Sequence, residues 1–225
     1  MLLISIDGAC RRNGKPDCVS AGGVFIKQYD LKDRKLVSTS TLSNYELKST
    51  NQRGELLALL TALDHVWSSK QDANIVTDSE YLFNAMTKEW YSGWFAKNWV
   101  TSYGEPVKNK DIWQNIRQVY LKCVDANLDI SFYHIKGHCI PFGKVTANGL
   151  LNTDPTGKSL LDAVYKKYDS LVDSKADKLN EAEELSARNN GFKLGATILR
   201  EYVVMNVMAD AIATKCVDAA DALMA

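Results

Sequence analysis

Residues 50–78 read TNQRGELLALLTALDHVWSSKQDANIVTD, and this stretch decides the fold. Leu56, Leu59, Leu60, Leu63 and Val66 or Trp67 recur at helical spacing, which predicts a helix over 52–67 with Thr50 and Asn51 placed to cap its start. The run ANIVTD at 73–78 is short, rich in β-branched residues and closed by an acid, which predicts a strand. Upstream, LLISID (2–7), AGGVFIKQYD (21–30) and KLVSTSTLSN (35–44) read as three strands. Downstream, a helical pattern over 79–88 is followed by a Trp-rich stretch from Trp90 to Trp99. KNKDIWQNIRQVYLKCVDA (108–126) then predicts a helix with Ile112, Ile116, Val119 and Tyr120 inward, and LDISFYHI (128–135) a fifth strand. Strands first, then strands alternating with helices, imply an α/β fold whose mixed sheet contains at least one parallel pair.

Beyond Gly137 the pattern changes. GHCIPFGKVTANGLLNTDPTG (137–157) is turn-rich and reads as a long loop. Over 158–188, Leu161, Val164, Tyr165, Tyr168, Leu171, Val172, Leu179 and Leu185 return to helical spacing, stopped by Asn189, Asn190 and Gly191. A last helix is predicted from about Thr197 to the C-terminus.

Composition narrows the class. The 225 residues hold 27 Lys and Arg against 27 Asp and Glu, so a surface that attracts polyanions everywhere is excluded, as is an acidic disordered tail. Any polyanion partner must meet a local patch. No apolar run approaches the eighteen or so residues that span a bilayer, and Asp7 interrupts the N-terminal one, so no membrane contact and a cytoplasmic location are expected. Five cysteines, an odd number without CxxC spacing, suit reduced thiols.

Three acids stand where chemistry would place them: Asp7 at the end of the first strand, Glu55 in the first helical turn and Asp78 at the end of the fourth strand. Ligands in open α/β sheets bind outside the carboxyl ends of strands. Clustered carboxylates repel one another, and hard divalent cations with oxygen ligands neutralise them. Asp210 on the last helix would complete a cage for two metal ions.

The strings IDGACRRNG, STNQRGELLAL, VTDSEYLFNAM, KNKDIW, YHIKGH and NVMADAIA, in this order, resemble the ribonuclease H family, type 1 branch. They span about residues 3–138 and 206–222. The resemblance implies an RNase H-like five-stranded mixed sheet, its first three strands antiparallel and the rest parallel, with helices on both faces. It implies an endonuclease that hydrolyses the RNA strand of RNA/DNA hybrids, leaving 5′-phosphate and 3′-hydroxyl ends. Asp7, Glu55, Asp78 and Asp210 would be the catalytic carboxylates and hold two Mg2+ ions, with Mn2+ as a substitute. His138 would aid proton transfer or product release, a task for which imidazole is suited near neutral pH. Asn13, Asn51 and Gln52 match positions that line the RNA strand, where amides can both donate to and accept from 2′-hydroxyls. Trp90, Trp94, Lys97 and Trp99 match a substrate handle, with fewer basic residues than the family's pattern, and Thr50, Lys108, Asn109 and Lys110 add phosphate contacts. His65 and His134 read as structural.

One departure stands out: His138 and Asp210 lie 72 positions apart where the family leaves a short loop. We read residues 1–225 as a single domain, with 144–205 a helical insertion before the last helix. As a helical hairpin beside the catalytic centre, the insertion would serve as lid, extra substrate grip or protein-partner surface, or simply as packing. A monomer is expected. Two alternatives are a catalytically silent hybrid-binding module on the same fold and a related exonuclease or resolvase. Ala9 stands where an exonuclease of this superfamily carries an acid, which disfavours the latter.

Overall fold

The structure, a computed structural model, describes residues 1–33, 35–173 and 177–223. Three strands, β1 (Leu2–Arg11), β2 (Val19–Asp30) and β3 (Lys35–Leu47), precede α1 (Asn51–Ser69) and β4 (Ala73–Thr77). Then come α2 (Glu80–Thr87), α3 (Trp90–Ala96), α4 (Lys110–Asp125) and β5 (Ile130–His134). Among the described residues four helices follow: α5 (Lys144–Thr153), α6 (Lys158–Asp173), α7 (Asp177–Asn190) and α8 (Ala196–Ala222).

The five strands form one sheet in the order β3-β2-β1-β4-β5, antiparallel among the first three and parallel from β1 through β4 to β5. Side chains alternate across a strand, so each strand feeds two cores. Leu2, Ile4 and Ile6 of β1, Val24 and Ile26 of β2 and Ile75 of β4 pack with α1, α2 and α4. Leu3, Phe25 and Val76 point the other way, into a second core built by α8 and the inserted helices. Lys27, on the Phe25 side, is buried there but paired with Glu201 of α8 and bonded to Tyr165 Oη of α6 at 2.6 Å, which avoids an isolated buried charge.

Two glycines in β2 set the spacing of these layers. A Cβ on Gly22 would stand 2.7 Å from Ala58 Cα of α1, and one on Gly23 would overlap the backbone of α8 at Ala209 and Ala213. Adjacent residues face opposite sides, so the pair lets one helix on each face lie close to the sheet.

Two expectations change. The stretch 137–157, read as loop, contains α5. Gly149, Asn148, Asn152 and Thr153 are weak helix formers, but Ala147 and Leu151, one turn apart, are buried in the second core, and that burial outweighs propensity. The first strand also runs past Asp7 to Arg11, because its antiparallel pairing with β2 continues after its parallel pairing with β4 stops at Ile6 and Thr77. The helical run expected over 158–188 is helical where it is described, as α6 and α7, and its residues 174–176 lie outside the described residues. Among the described residues no helix is long and apolar enough to cross a membrane.

Candidate active site

Where β4 ends, the next residue on each of two neighbouring strands is an acid. Ile6 pairs with Thr77, so Asp7 and Asp78 emerge side by side. Glu55 arrives from α1, whose start is capped by Thr50 through its side-chain oxygen and Arg53 N. Gly8 makes that approach possible, since a Cβ there would lie 2.5 Å from the Glu55 nitrogen. Ligand oxygens of Asp7, Glu55 and Asp78 all fall within 4.8 Å of one another. Asp210 stands outside this trio yet lines the same cavity of about 260 Å3, together with His138, Asn51 and Cys10. Thr214 Oγ1 donates to Asp210 Oδ1 at 3.4 Å.

Crowding of like charges in a buried place has an electrostatic cost. Asp7, 5% exposed, is held well above the usual carboxylate range by burial and then by the charges of Asp78, Glu55 and Asp210, against one opposing bond from Gly8 N–H to its Oδ1 at 2.7 Å. Burial and the Asp78 charge push Glu55 up to about 8. Asp78 is also raised, by burial first, with His138 and the Asn206 amide acting in the opposite direction. Glu55 Oε2 and Asn206 Nδ2 are buried with no hydrogen-bond partner in good geometry, so the site contains both an unmet acceptor and an unmet donor.

A stability prediction follows from the Glu55 shift. Its carboxyl is favoured as the neutral acid in the folded state, so the contribution is intact below the ordinary 4.5 and is lost as pH climbs toward about 8. Without divalent cations the protein should lose on the order of a few kcal/mol across that window, and Mg2+ should restore most of it at the alkaline end. Thermal melts at a series of pH values, with EDTA or Mg2+, check this; a melting temperature that rises with pH in EDTA would contradict it.

A second, open cavity of about 610 Å3 adjoins the first at Glu55, lined by Asn13, Thr50, Asn51, Gln52, Ser79, Tyr81, Lys108 and Asn109. The structure thus gathers every expected amide into one groove. Asn51 N donates to Asn13 Oδ1 at 3.4 Å and Asn109 Nδ2 to Gln52 Oε1 at 3.1 Å. Arg53 braces the groove through ion pairs with Glu46 of β3 and Asp111 of α4. The sequence does not single out Ser79 and Tyr81; Ser79 caps the start of α2 and Tyr81 lies in its first turn, and both line the groove.

The Trp segment divides. Trp90 is 36% exposed and its ring lies 6.2 Å from that of Trp94, which meets Trp113 edge-on at 5.3 Å. Lys97 is exposed beside them. Trp99 is only 5% exposed and packs in the first core, so it supports the segment from beneath and has no face free for a base. His138 is exposed at the cavity rim, in a left-handed conformation with φ 56°.

A family model for RNase H matches residues 2–149. The ribonuclease H of Ruthia magnifica subsp. Calyptogena magnifica is 32% identical over 151 residues, covering 67% of this chain and 92% of that protein. That of Caulobacter sp. (strain K31) is 34% identical over 137 residues, covering 61% and 78%. Among solved structures, LC9-RNase H1, a type 1 RNase H with the type 2 active-site motif, superposes with a TM-score of 0.51 at 20% identity, covering 61% of this chain and 63% of that one, a likeness of fold.

Proposed function

The chain belongs to the RNase H family and is a ribonuclease H; on that premise we propose that it hydrolyses the RNA strand of RNA/DNA hybrids to 5′-phosphate and 3′-hydroxyl ends, using two divalent ions. The observation that carries this reading is the trio Asp7, Glu55 and Asp78, with ligand oxygens within 4.8 Å of one another. Such a set suits hard cations: all its donors are oxygens, its carboxyls are raised by burial first and then by mutual repulsion, and Glu55 Oε2 is buried without a donor. Asp7, Glu55, Asp78 and Asp210 would hold the ions, Mg2+ or Mn2+. Bound there, such ions supply an activated water and charge neutralisation for the departing oxygen of the phosphodiester.

The remaining work falls to the chain's own groups. Gly8 N–H holds Asp7 in one rotamer, and α1 carries Glu55 between the acids and the amide groove. In that groove Asn13, Asn51, Gln52 and Asn109 can pair with ribose hydroxyls, which distinguish RNA from DNA. Thr50 and Lys108 lie at its edge, suited to phosphate. Trp90, Trp94 and Lys97 form a surface suited to the DNA strand, with Trp99 packed beneath. His138, which lines the cavity rim, would move a proton to or from the leaving side. We further read residues 1–225 as one domain, because Leu160, Val164 and Leu199 of the inserted region share a core with Phe25 and Val76 of the sheet.

The test is an incubation with RNA/DNA hybrid, double-stranded RNA and double-stranded DNA, each with Mg2+, Mn2+ or EDTA. Cutting of the hybrid alone, dependent on metal and leaving 5′-phosphates, is expected. Hybrid binding without cutting under any metal would point instead to a silent binding module.

A further inference from the structure

Inserted helix α7 ends on the free edge of the sheet. β5 is the outer strand, and an outer strand leaves backbone groups without a partner. At its last residue, His134, those groups are met by one side chain: Asn190 Oδ1 accepts from His134 N at 2.8 Å, and Asn190 Nδ2 donates to His134 O at 2.8 Å. Ser186 Oγ donates to the same oxygen at 3.0 Å. An ion pair between Lys136 and Glu181 adds a further attachment. The asparagine thus takes the place of a neighbouring strand.

The His134 ring continues the chain of contacts inward. It is 3% exposed, packed against Phe83 with ring centroids 5.8 Å apart. Nε2 lies 3.2 Å from the backbone oxygen of Asp78, and Nδ1 lies 3.0 Å from Asn189 Nδ2. The neighbours assign the tautomer. A carbonyl only accepts, so Nε2 carries the proton; Nδ1 then has a lone pair, to which the Asn189 amide donates. Two residues of α7 therefore hold both the backbone and the ring of a histidine whose other nitrogen holds Asp78.

We infer that the insertion is a positioning device for the active site: Asn189, through His134, fixes the backbone that carries the Asp78 carboxylate and so sets its fit to a divalent ion. The inference rests on the reading of Asp78 as a metal ligand. His134 and Asn189 are positioning residues, since neither lines the cavity that holds the four acids. Outer groups that orient a ligand commonly govern metal affinity by factors of ten or more.

Four variants test this: Asn189→Leu, His134→Leu, His134→Gln, whose amide keeps a donor toward the Asp78 oxygen, and Asp78→Asn. Mg2+ affinity is measured by calorimetric titration, alongside kcat and KM on an RNA/DNA hybrid. Asn189→Leu and His134→Leu are expected to weaken Mg2+ affinity and lower kcat by about tenfold, with KM held within about twofold. His134→Gln should recover most of both. Asn189 lies half-exposed at a helix end, so its variant carries the test even where His134→Leu fails to fold. The inference is overturned if Asn189→Leu keeps parental Mg2+ affinity or kcat, whatever its melting temperature, because α7 would then be packing alone. Asp78→Asn separates the two readings: unchanged Mg2+ affinity in that variant would reject Asp78 as a ligand, whereas its loss beside an unaffected Asn189→Leu would reject only the clamp.

Discussion

Asp7→Asn is expected to lower hybrid cleavage by at least about a thousandfold, the rate equivalent of roughly 4 kcal/mol of lost transition-state stabilisation, while raising the thermal stability of the metal-free protein at pH 8. Both effects have one origin. Asp7 is the most buried acid of the cluster, and burial together with Asp78, Glu55 and Asp210 disfavours its charge. Asparagine has the same shape and can still accept the Gly8 N–H that now reaches Asp7 Oδ1 at 2.7 Å, so the local backbone keeps its bond. Its amide donor would also face the oxygens of Glu55 and Asp78, which lie within 4.8 Å of the present carboxylate. Repulsion becomes attraction, and the fold gains on the order of 1 kcal/mol or more. On the proposed reading, removing this charge at the same time removes a carboxylate that would hold the divalent ions. Cleavage assays with Mg2+ and melting curves in EDTA decide the matter. Activity kept within tenfold, or a melting temperature that falls at pH 8, would sink the assignment of Asp7.

Gly137→Ala should also lower activity, with the stability of the fold nearly unchanged. The glycine sits in the loop after β5, and a Cβ there would overlap Asp78 Oδ2 and stand 2.8 Å from its Cγ. The obstacle is the end of a side chain, so the backbone is not forced apart; Asp78 turns its carboxylate away instead. Metal affinity and hybrid cleavage are expected to fall by about 10- to 100-fold, the range typical of a displaced or unsupported ligand. Stability should change little, and relief of repulsion at Asp7, which Asp78 raises, acts to offset any strain. Calorimetric Mg2+ titration beside a melting curve tests this. Undiminished Mg2+ affinity would show that the Asp78 carboxylate finds an equally good place with the extra methyl present.

Much of this architecture is legible in short windows. The leucines at 56, 59, 60 and 63 repeat at helical spacing, and α1 forms over Asn51–Ser69 with Thr50 as its cap. The alternation of Leu2, Leu3 and Ile4 requires two cores, and both exist. Asn206 and Asp210, four apart, share a face of α8 and line one cavity. Other features escaped such reading for identifiable reasons. Helix α5 has poor intrinsic propensity and is held by burial of Ala147 and Leu151, a gain no local window contains. Trp99 carries the same local signal as Trp90 and Trp94, yet one is core and another half on the surface. His134 read as a structural strand residue; its ring meets Asp78 and Asn189, 56 and 55 positions away in the chain.

From the sequence alone came the types of most elements, their order and the acids at strand ends, because hydrophobic period and capping act over a few residues, while the resemblance to the family marked the insertion before the last helix. The tertiary structure decided distances. Gly8, Gly22 and Gly23 bring α1 and α8 close to the two faces of the sheet, and only that closeness places Glu55 and Asp210 beside Asp7 and Asp78. It decided too that α7 meets the edge of β5, since the pairing of Asn190 with a strand's open backbone groups is a through-space contact between segments whose sequences carry no mark of one another.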